Sequence, residues 1–396
     1  MDLFYHPKVD FLHLFISGAF RKASITILSL FSPIYIFLGA KSLVNDVTFA
    51  LILTLSYYFV LYISKFLTLL VSENLSQRIG FKGTMWLSAL PFIGFVLSLM
   101  YSYNFPYLYL VSSVLWGIHA AFYWWGYNGY FVKSAEDSHN KHVGEAIGQA
   151  QLLETFAAIV TPFLGAMAIF LFGFSAIFVF SALLFLISLI FLNKDHDKRQ
   201  KHDIGLKDVF NLFKTHKLSL LAYLGTGGEA VLHSIAWPLF LYFFFKQVVN
   251  LGVIVSLATL IAALFGIIIG RFIDRYGERK VIGLGVPILF VSNIFKFVFR
   301  TFTAFVIADS FRNFGERMVE LPLNELTFKK AIQGFSAQAI MFREIALLFG
   351  AVFSIAALVV ILYFGGDLSI NFLLGAVLGV FPGVAVIKHK LRDNDR

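Results

Sequence analysis

Cysteine is absent from the 396-residue sequence, and charged residues are scarce. Without cysteine there is no disulfide framework, no thiolate nucleophile and no thiolate-ligated metal. Charged residues make up 14% of the chain, whereas an average soluble domain has about 25%. Because 59% of the residues are apolar, the composition indicates a protein that is solvated largely by the lipid bilayer. Neither a metal nor another cofactor is expected.

Apolar segments long enough to cross a bilayer recur along the chain. A spanning helix needs about 20 mostly apolar residues, and runs such as 174–192 and 345–364 reach that length. Residues 1–10 are too polar for the apolar core of a signal peptide, so no cleavable signal is expected. We predict an all-α membrane protein with twelve transmembrane helices, at residues 14–40, 47–70, 84–102, 106–131, 143–171, 174–193, 217–245, 248–270, 281–300, 302–327, 335–364 and 369–388.

One long polar connection divides six predicted spans from six. It predicts an N-terminal six-helix half at residues 1–193, a cytoplasmic linker loop at 194–216 and a C-terminal six-helix half at 217–396. The halves also resemble each other in sequence, since the motif at residues 75–82 recurs at 272–279. Two related six-helix halves are typical of transporters.

Lysine and arginine are distributed unevenly between the two sides of the predicted bundle. The connections on one side hold only Lys41, Lys246 and Arg300, whereas those on the side of both termini hold most of the remaining basic residues. The positive-inside rule therefore predicts cytoplasmic N- and C-termini, in a multi-pass protein of the plasma membrane. It also accounts for the net charge of +9 without a nucleic-acid partner.

The most charged stretch inside the chain is GRFIDRYGERK, at residues 270–280. It resembles the loop signature of the major facilitator superfamily (MFS), Gly-x-x-x-Asp-Arg-x-Gly-x-Arg-Lys, between the second and third helices of a six-helix half. The first-half copy at 73–82 is degenerate, with Gln77 in place of the aspartate. The resemblance implies the MFS fold of two pseudo-symmetric six-helix halves. It also implies a conformational gate formed by Gly270, Asp274, Arg275, Gly277, Arg279 and Lys280.

Other signatures of the family fit less well. Proton-coupled members often carry an arginine before a glycine in span 4, and none is present there. In span 10, Arg312 precedes Gly315 instead. Pro162 and Gly165 match the drug-antiporter pattern of span 5 only in part.

The predicted helix 302–327 has a row of polar residues along one face. A charge at bilayer depth costs at least roughly 2.5–3.5 kcal/mol, so this face requires water or charged partners. Arg312 and Glu316 are four residues apart and are predicted to pair along the helix. Glu320 and Arg343 lie at similar depths and form either a static ion-pair lock or part of the transport machinery. The row consists of Asp309, Arg312, Asn313, Glu316, Arg317, Glu320 and Asn324.

Glu229 lies near the middle of the seventh predicted span. It follows the glycine-rich residues 225–228, which we expect to loosen the helix. Glu229 either takes and releases a proton or serves as the partner of Lys296 or Arg312. The proton-coupling candidates are Glu229, Asp309, Arg312 and Glu316.

The fourth predicted span carries an aromatic stripe. It contains Trp116, His119, Tyr123 and Tyr127, which share one helix face and either contact a solute or pack in the core. The resemblance implies that spans 1, 4, 7 and 10 line a central cavity. Arg21 and Lys22 lie in that cavity or at the inner interface, depending on where span 1 begins. The substrate-cavity candidates are Trp116, His119, Tyr123, Tyr127, His233 and Asn313.

These observations predict a monomeric, proton-coupled secondary transporter that moves a small molecule by alternating access. Export of a small amphiphile or drug-like compound is favoured over uptake of a sugar, peptide or other metabolite. An enzyme is not expected, because no connection exceeds about 23 residues and the histidines have no evident nucleophile partner. A transporter-like sensor is not expected, because such proteins usually carry a signalling domain and none is recognised in the sequence. Direct use of ATP is not expected either, because no nucleotide-binding loop motif is found.

Overall fold

The computed structural model describes residues 9–137, 143–192, 206–330 and 336–384. Over these ranges the chain is helical, with short connections. The helices are α1 (Val9–Leu43), α2 (Val47–Leu87), α3 (Ala89–Tyr101), α4 (Leu108–Asp137), α5 (Val143–Phe172), α6 (Phe174–Leu192), α7 (Leu206–Thr215), α8 (Lys217–Phe245), α9 (Val248–Tyr276), α10 (Glu278–Val298), α11 (Phe302–Lys330), α12 (Ser336–Tyr363) and α13 (Ile370–Val380). A short 3-10 turn at Phe381–Gly383 follows α13.

Two glycines with positive φ occupy the same position in the two halves. Gly80 (φ 83°, ψ 168°) interrupts α2 and separates the second predicted span from the third. Gly277 (φ 80°, ψ 156°) lies between α9 and α10. Residues with a Cβ rarely adopt these angles, so glycine is required at both turns. Gly277 thus supplies the tight turn between α9 and α10.

The two halves use the same packing scheme. In the first half α1 packs on α5 and α6, and α2 packs on α4. In the second half α8 packs on α12 and α13, and α9 packs on α11. The halves meet where α5 contacts α9 and α2 contacts α12. The prediction of an all-α membrane fold with two pseudo-symmetric six-helix halves is confirmed.

Not every helix is apolar enough to be recognised as a span by composition. Seven helical segments of the described ranges are long and apolar enough to cross a membrane, and one of them, Val47–Tyr101, contains both α2 and α3. Helix α11 is absent from this set because charged residues interrupt its apolar sequence. Its polar residues are instead satisfied inside the bundle, as described below.

The segment predicted as a polar linker loop contains a helix. Helix α7 covers the second part of residues 194–216 and packs on α8 and α12. Val209 is fully buried, and the Phe213 ring lies 5.0 Å from that of Phe342. Sequence reasoning missed this helix because its apolar face is only ten residues long.

The expectation that residues 225–228 loosen the seventh span is wrong. Helix α8 is continuous through them. A Cβ on Gly227 would collide with the main chain of Leu347, and one on Gly350 would collide with the main chain of Leu224. The glycines therefore allow α8 and α12 to approach closely.

The two ends of the bundle can be named by the elements that they carry. We call the end that carries Gly80, Gly277 and α7 the linker face, and the opposite end the far face. Near the far face, α1 contacts α8, and the rings of Phe37 and Phe243 lie 4.9 Å apart. The halves are thus in contact at the far face.

Candidate transport site

A buried arginine connects α8 and α11 in the C-terminal half. Arg312 is 2% exposed, and its Nε and Nη2 atoms donate to Glu229 at 3.0 and 2.7 Å. Its Nη1 and Nη2 atoms donate to Glu316 at 2.7 and 3.0 Å. The predicted pairing of Arg312 with Glu316 is confirmed, and Arg312 is the partner of Glu229. The bidentate, charge-assisted pair with Glu229 joins α8 to α11, whereas the pair with Glu316 lies within α11.

A second buried ion pair lies in the same half, closer to the far face than Arg312. Lys296 Nζ donates to Asp309 Oδ1 at 2.6 Å, and both side chains are at most 1% exposed. His233 lies beside them, with Nε2 3.6 Å from Asp309 Oδ1. The ammonium of Lys296 also lies 4.0 Å from the centre of the Trp237 ring. His233, predicted to face the cavity, is therefore part of this charged cluster.

The cluster contains more acidic than basic side chains. Glu229, Glu316 and Asp309 face Arg312 and Lys296. With these five ionised and the His233 ring neutral, one negative charge remains. Uncompensated charge is expensive in a buried site, so a single added proton would balance the cluster.

A cavity of about 190 Å³ adjoins this cluster. Helices α2, α8, α11 and α12 line it, and Tyr223 and Arg343 place it in the linker-side half of the bundle. It is smaller than the roughly 300–1,000 Å³ of typical ligand pockets, so this conformation accommodates at most a small solute. Glu316 lines the cavity with 30% of its side chain exposed. Glu316 therefore connects the buried cluster to the cavity.

The predicted ion pair between Glu320 and Arg343 does not form among the described residues. Both side chains line the cavity, but Arg343 Nη1 lies 3.4 Å from Glu344 on its own helix. Glu344 also accepts from Lys65 Nζ of α2 at 3.2 Å. Glu344, the residue after Arg343 on α12, is thus the acidic residue that pairs with the first half.

Sequence reasoning did not single out Lys65 or Glu344. Glu344 is 3% exposed, and Asn128 Nδ2 of α4 lies 3.5 Å from its second oxygen. Both charged residues interrupt predicted spans, which was the available signal. Their pairing joins the two halves of the protein.

Arg21 is buried inside the bundle, whereas Lys22, the next residue of α1, is exposed. Helix α1 begins at Val9, so these residues are well within it and not at its start. The guanidinium carbon of Arg21 lies 4.0 Å from the centre of the Tyr123 ring and 4.4 Å from that of Trp124. Lys22 interacts electrostatically with Glu154 of α5 and with Glu316 of α11. The choice left open by the sequence is therefore resolved in favour of the interior for Arg21.

The aromatic stripe of α4 divides into two parts. Trp116 stacks on Phe95 at 4.5 Å, and its indole is 7% exposed. His119 is fully buried, with Nδ1 3.0 Å from the Ser88 carbonyl oxygen and its ring between Phe92 and Phe185. These two residues pack against α3 and α6, so their assignment to the substrate cavity is wrong.

The remainder of the stripe faces the charged interior. Tyr123 and Tyr127 stack at 6.1 Å beside Arg21, and Tyr127 lies near Glu154. A helical wheel gives the face of α4 but not which neighbours cover each level of it. Tyr123 and Tyr127 remain candidates for solute contact.

The other predicted site residues are placed as follows. Asn313 Oδ1 lies 3.4 Å from Arg312 Nη1, at the edge of the buried cluster. In the predicted gate, Gly270 and Asp274 belong to α9, but their side-chain environment lies outside the described residues. Exposed Arg275 lies over Tyr276 at 5.4 Å, Arg279 is half-buried and Lys280 is exposed.

Comparisons with known proteins agree with this architecture. The family model of the Major Facilitator Superfamily matches residues 14–340. A solved structure titled as the human organic anion transporter MFSD10 (TETRAN) superposes with a TM-score of 0.73 at 13% sequence identity, covering 96% of this chain and 99% of that one. A search of curated protein sequences found no match. The chain belongs to the major facilitator superfamily, and it is a membrane transporter rather than an enzyme.

Proposed function

We propose that this transporter couples proton movement to the export of a small amphiphile across the plasma membrane. The observation that carries the proposal is the position of Glu316, which binds Arg312 on one side and lines the cavity on the other. Secondary transport needs a group that is accessible to protons and linked to the elements that move. Glu316 meets both requirements.

The hydrogen bonds around Arg312 indicate how a proton would act. Protonation of Glu316 removes its charge and weakens its bonds to Arg312, whereas Glu229 keeps its two bonds to the same guanidinium. The cluster then contains two carboxylates and two basic groups, and is neutral. Because Glu316 interacts electrostatically with Lys22 of the first half, its charge also affects the attraction between the halves. The proton thus alters the balance between conformations.

Three features support an amphiphilic solute and its export. The cavity wall combines charged residues with tyrosine, leucine and alanine. The similar structure MFSD10 is titled as an organic anion transporter. The cavity lies nearer the linker face, which the distribution of lysine and arginine predicts to be cytoplasmic.

The test uses purified protein in liposomes and two probes of permanent charge, 2-naphthalenesulfonate and (2-naphthylmethyl)trimethylammonium. Their charge does not change with pH, so a pH gradient alone does not redistribute them. We expect a gradient with an acidic lumen to concentrate a probe in vesicles whose linker face points outward. Glu316→Gln should abolish this concentration but retain exchange of probe, because only the coupling proton is lost. Asp367→Asn, in the α12–α13 connection, is the matched control and should behave as the parent protein.

Retained uphill transport in Glu316→Gln would refute the coupling role. Accumulation only in vesicles with the far face outward and acid outside would instead establish uptake by symport. Orientation itself is read with single cysteines, because the chain has none of its own. A cysteine at Lys41 should react with an impermeant maleimide in intact cells, and one at Arg199 only after permeabilisation.

A further inference from the structure

We propose that Arg21 binds the acidic group of the transported solute, so that the substrate class is an amphiphilic carboxylate. This inference rests on the proposed function, because it names the substrate of the same transporter. It concerns the N-terminal half, whereas the coupling proposal concerns the C-terminal half. The two can therefore be tested separately.

The first observation is that the guanidinium of Arg21 is buried and that no hydrogen-bonding partner of its Nε is found among the described residues. Arg21 is 7% exposed. Tyr123 and Trp124 contact the guanidinium through their ring faces, which stabilise positive charge but provide no carboxylate or carbonyl acceptor. Leaving a buried donor unsatisfied costs stability, and more so for a charged group. A ligand acceptor would remove that cost.

The second observation concerns the charged residues around Arg21. Lys22 adjoins it on α1, and Glu154 of α5 interacts electrostatically with both residues. The carboxylate of Glu154 is placed against Gly18, where a Cβ would lie 3.1 Å from Oε1. Lys22 is exposed and also interacts with Glu316, so the carboxylate that acts on Arg21 is that of Glu154, which makes no hydrogen bond to the guanidinium among the described residues.

Residues of α11 complete the set of charges in this region. Glu316 interacts with Lys22, and Glu320 interacts with Glu154. Glu316 is already engaged by Arg312. Neither residue of α11 makes an ion pair with Arg21 in the described structure. The guanidinium of Arg21 is therefore available to a ligand.

The surroundings of Arg21 define the rest of the ligand. Guanidinium groups bind carboxylates in a planar, bidentate arrangement. Tyr123 stacks on Tyr127 at 6.1 Å, and Trp124 lies 5.7 Å from Tyr127, so the apolar contacts next to the charge are aromatic rings. A planar acid attached to an apolar, preferably aromatic, body matches both features.

The test measures binding by titration calorimetry on the purified full-length protein in neutral detergent, without a pH gradient. The probes are 2-naphthoate and its uncharged isostere 2-naphthamide. We expect saturable binding of naphthoate and at least about tenfold weaker binding of naphthamide, because a hydrogen bond to a charged group contributes roughly 1.5–3 kcal/mol. Arg21→Gln should weaken naphthoate binding by at least about tenfold and leave naphthamide binding unchanged. Arg300→Gln, exposed near the far face, is the control for loss of a positive charge.

Further variants keep the result interpretable. Arg21→Lys retains the charge without the planar donor pair and should bind naphthoate with intermediate affinity, which excludes a general folding defect. Absence of saturable naphthoate binding, equal affinity for the two probes, or full naphthoate affinity in Arg21→Gln would each overturn the site. A protein that binds naphthoate but does not respond to the pH gradient would refute the coupling and leave the Arg21 site intact. A protein that responds to the gradient but does not bind naphthoate would refute the Arg21 site and leave the coupling intact.

Discussion

Two buried arginines distinguish the halves of this transporter. Arg312, in the second half, donates to both Glu229 and Glu316. Arg21, in the first half, is also buried, but its guanidinium lies against aromatic rings and its Nε has no hydrogen-bonding partner among the described residues. The guanidinium of Arg312 is thus hydrogen-bonded within the protein, whereas we propose that the guanidinium of Arg21 binds the solute.

The difference suggests a division of labour between the pseudo-symmetric halves. A satisfied network can gain or lose one proton while its members stay in place, which suits coupling. An unsatisfied cation surrounded by rings suits solute binding. Since Lys22 of the first half interacts with Glu316 of the second, the two regions are electrostatically connected. We propose that the solute and the proton act on the same balance between conformations through this connection.

The largest expected difference between the halves is in stability. Arg312→Gln leaves Glu229 buried without its counter-charge, and breaking a buried pair in this way costs about 3–5 kcal/mol. Arg21→Gln removes no hydrogen bond seen among the described residues, so we expect it to lower the free energy of unfolding by no more than about 1 kcal/mol, the order of a cation–π contact. Unfolding of both variants in a denaturing-detergent titration measures the comparison. Equal losses would show that Arg21 is as well satisfied as Arg312.

Much of the architecture was predictable from the sequence, because it depends on local patterns. Apolar runs located the spans, and the spacing of Arg312 and Glu316 along one helix predicted their ion pair. Contacts between distant segments were less accessible. Lys65 and Glu344 are separated by 279 positions, and nothing local indicates that they meet.

The wrong assignments share a physical cause. Trp116 and His119 lie on the predicted face of α4, but α3 and α6 cover that level of the helix. The glycines at 225–228 can loosen a helix or admit a neighbour, and only the position of α12 decides between these outcomes. In both cases the residue type was informative, and the tertiary partner determined its role.

The next largest expected difference concerns pairwise interaction energies. A double-mutant cycle with Lys296→Met and Asp309→Asn should give an interaction energy near the upper end of about 0.5–3 kcal/mol, since both side chains are buried and bonded at 2.6 Å. The same cycle with Arg21→Gln and Glu154→Gln should give no more than about 0.5 kcal/mol, because these two side chains interact without a hydrogen bond. Similar energies in the two cycles would remove the contrast between the halves.

Introducing a carboxylate next to Arg21 should make the hydrogen bonding of Arg21 more like that of Arg312. Ser17 lies one turn before Arg21, and its Oγ is buried without a partner among the described residues. Ser17→Asp places a carboxylate four residues from the arginine, whereas Ser17→Asn places an uncharged group of the same size there. We expect the Asp variant to exceed the Asn variant in unfolding free energy by roughly 1.5–3 kcal/mol, the contribution of a charge-assisted hydrogen bond.

The same pair of variants also reports on the ligand. If the new carboxylate occupies Arg21, Ser17→Asp should lose naphthoate binding while Ser17→Asn retains it. Comparing the two variants cancels the cost of the added volume, which they share. An Asp variant that is no more stable than the Asn variant would indicate that the guanidinium already has a partner.

The smallest expected effect lies at the linker face, where the halves differ again. The second-half loop carries Asp274, and the first-half loop has Gln77 at the matching position. By the MFS resemblance, Asp274 contacts the N-terminal end of the fifth span when the cytoplasmic side is closed, an interaction that contributes roughly 0.3–1 kcal/mol. Asp274→Asn should therefore shift the population toward the inward-open state by up to about fivefold.

A cysteine at Asn324, on the cavity wall, provides the measurement because the chain has no native cysteine. Its reaction rate with a maleimide should rise in Asp274→Asn by up to the same factor, and fall in Gln77→Asp if the first-half loop can form the matching contact. Asp46→Asn, which keeps the cap of α2 near the far face, is the control and should leave the rate unchanged. If the rate in Asp274→Asn equals that of the control, the charges of the second-half loop only orient the chain in the membrane. The functional asymmetry between the halves would then reside in their buried arginines and not in their loops.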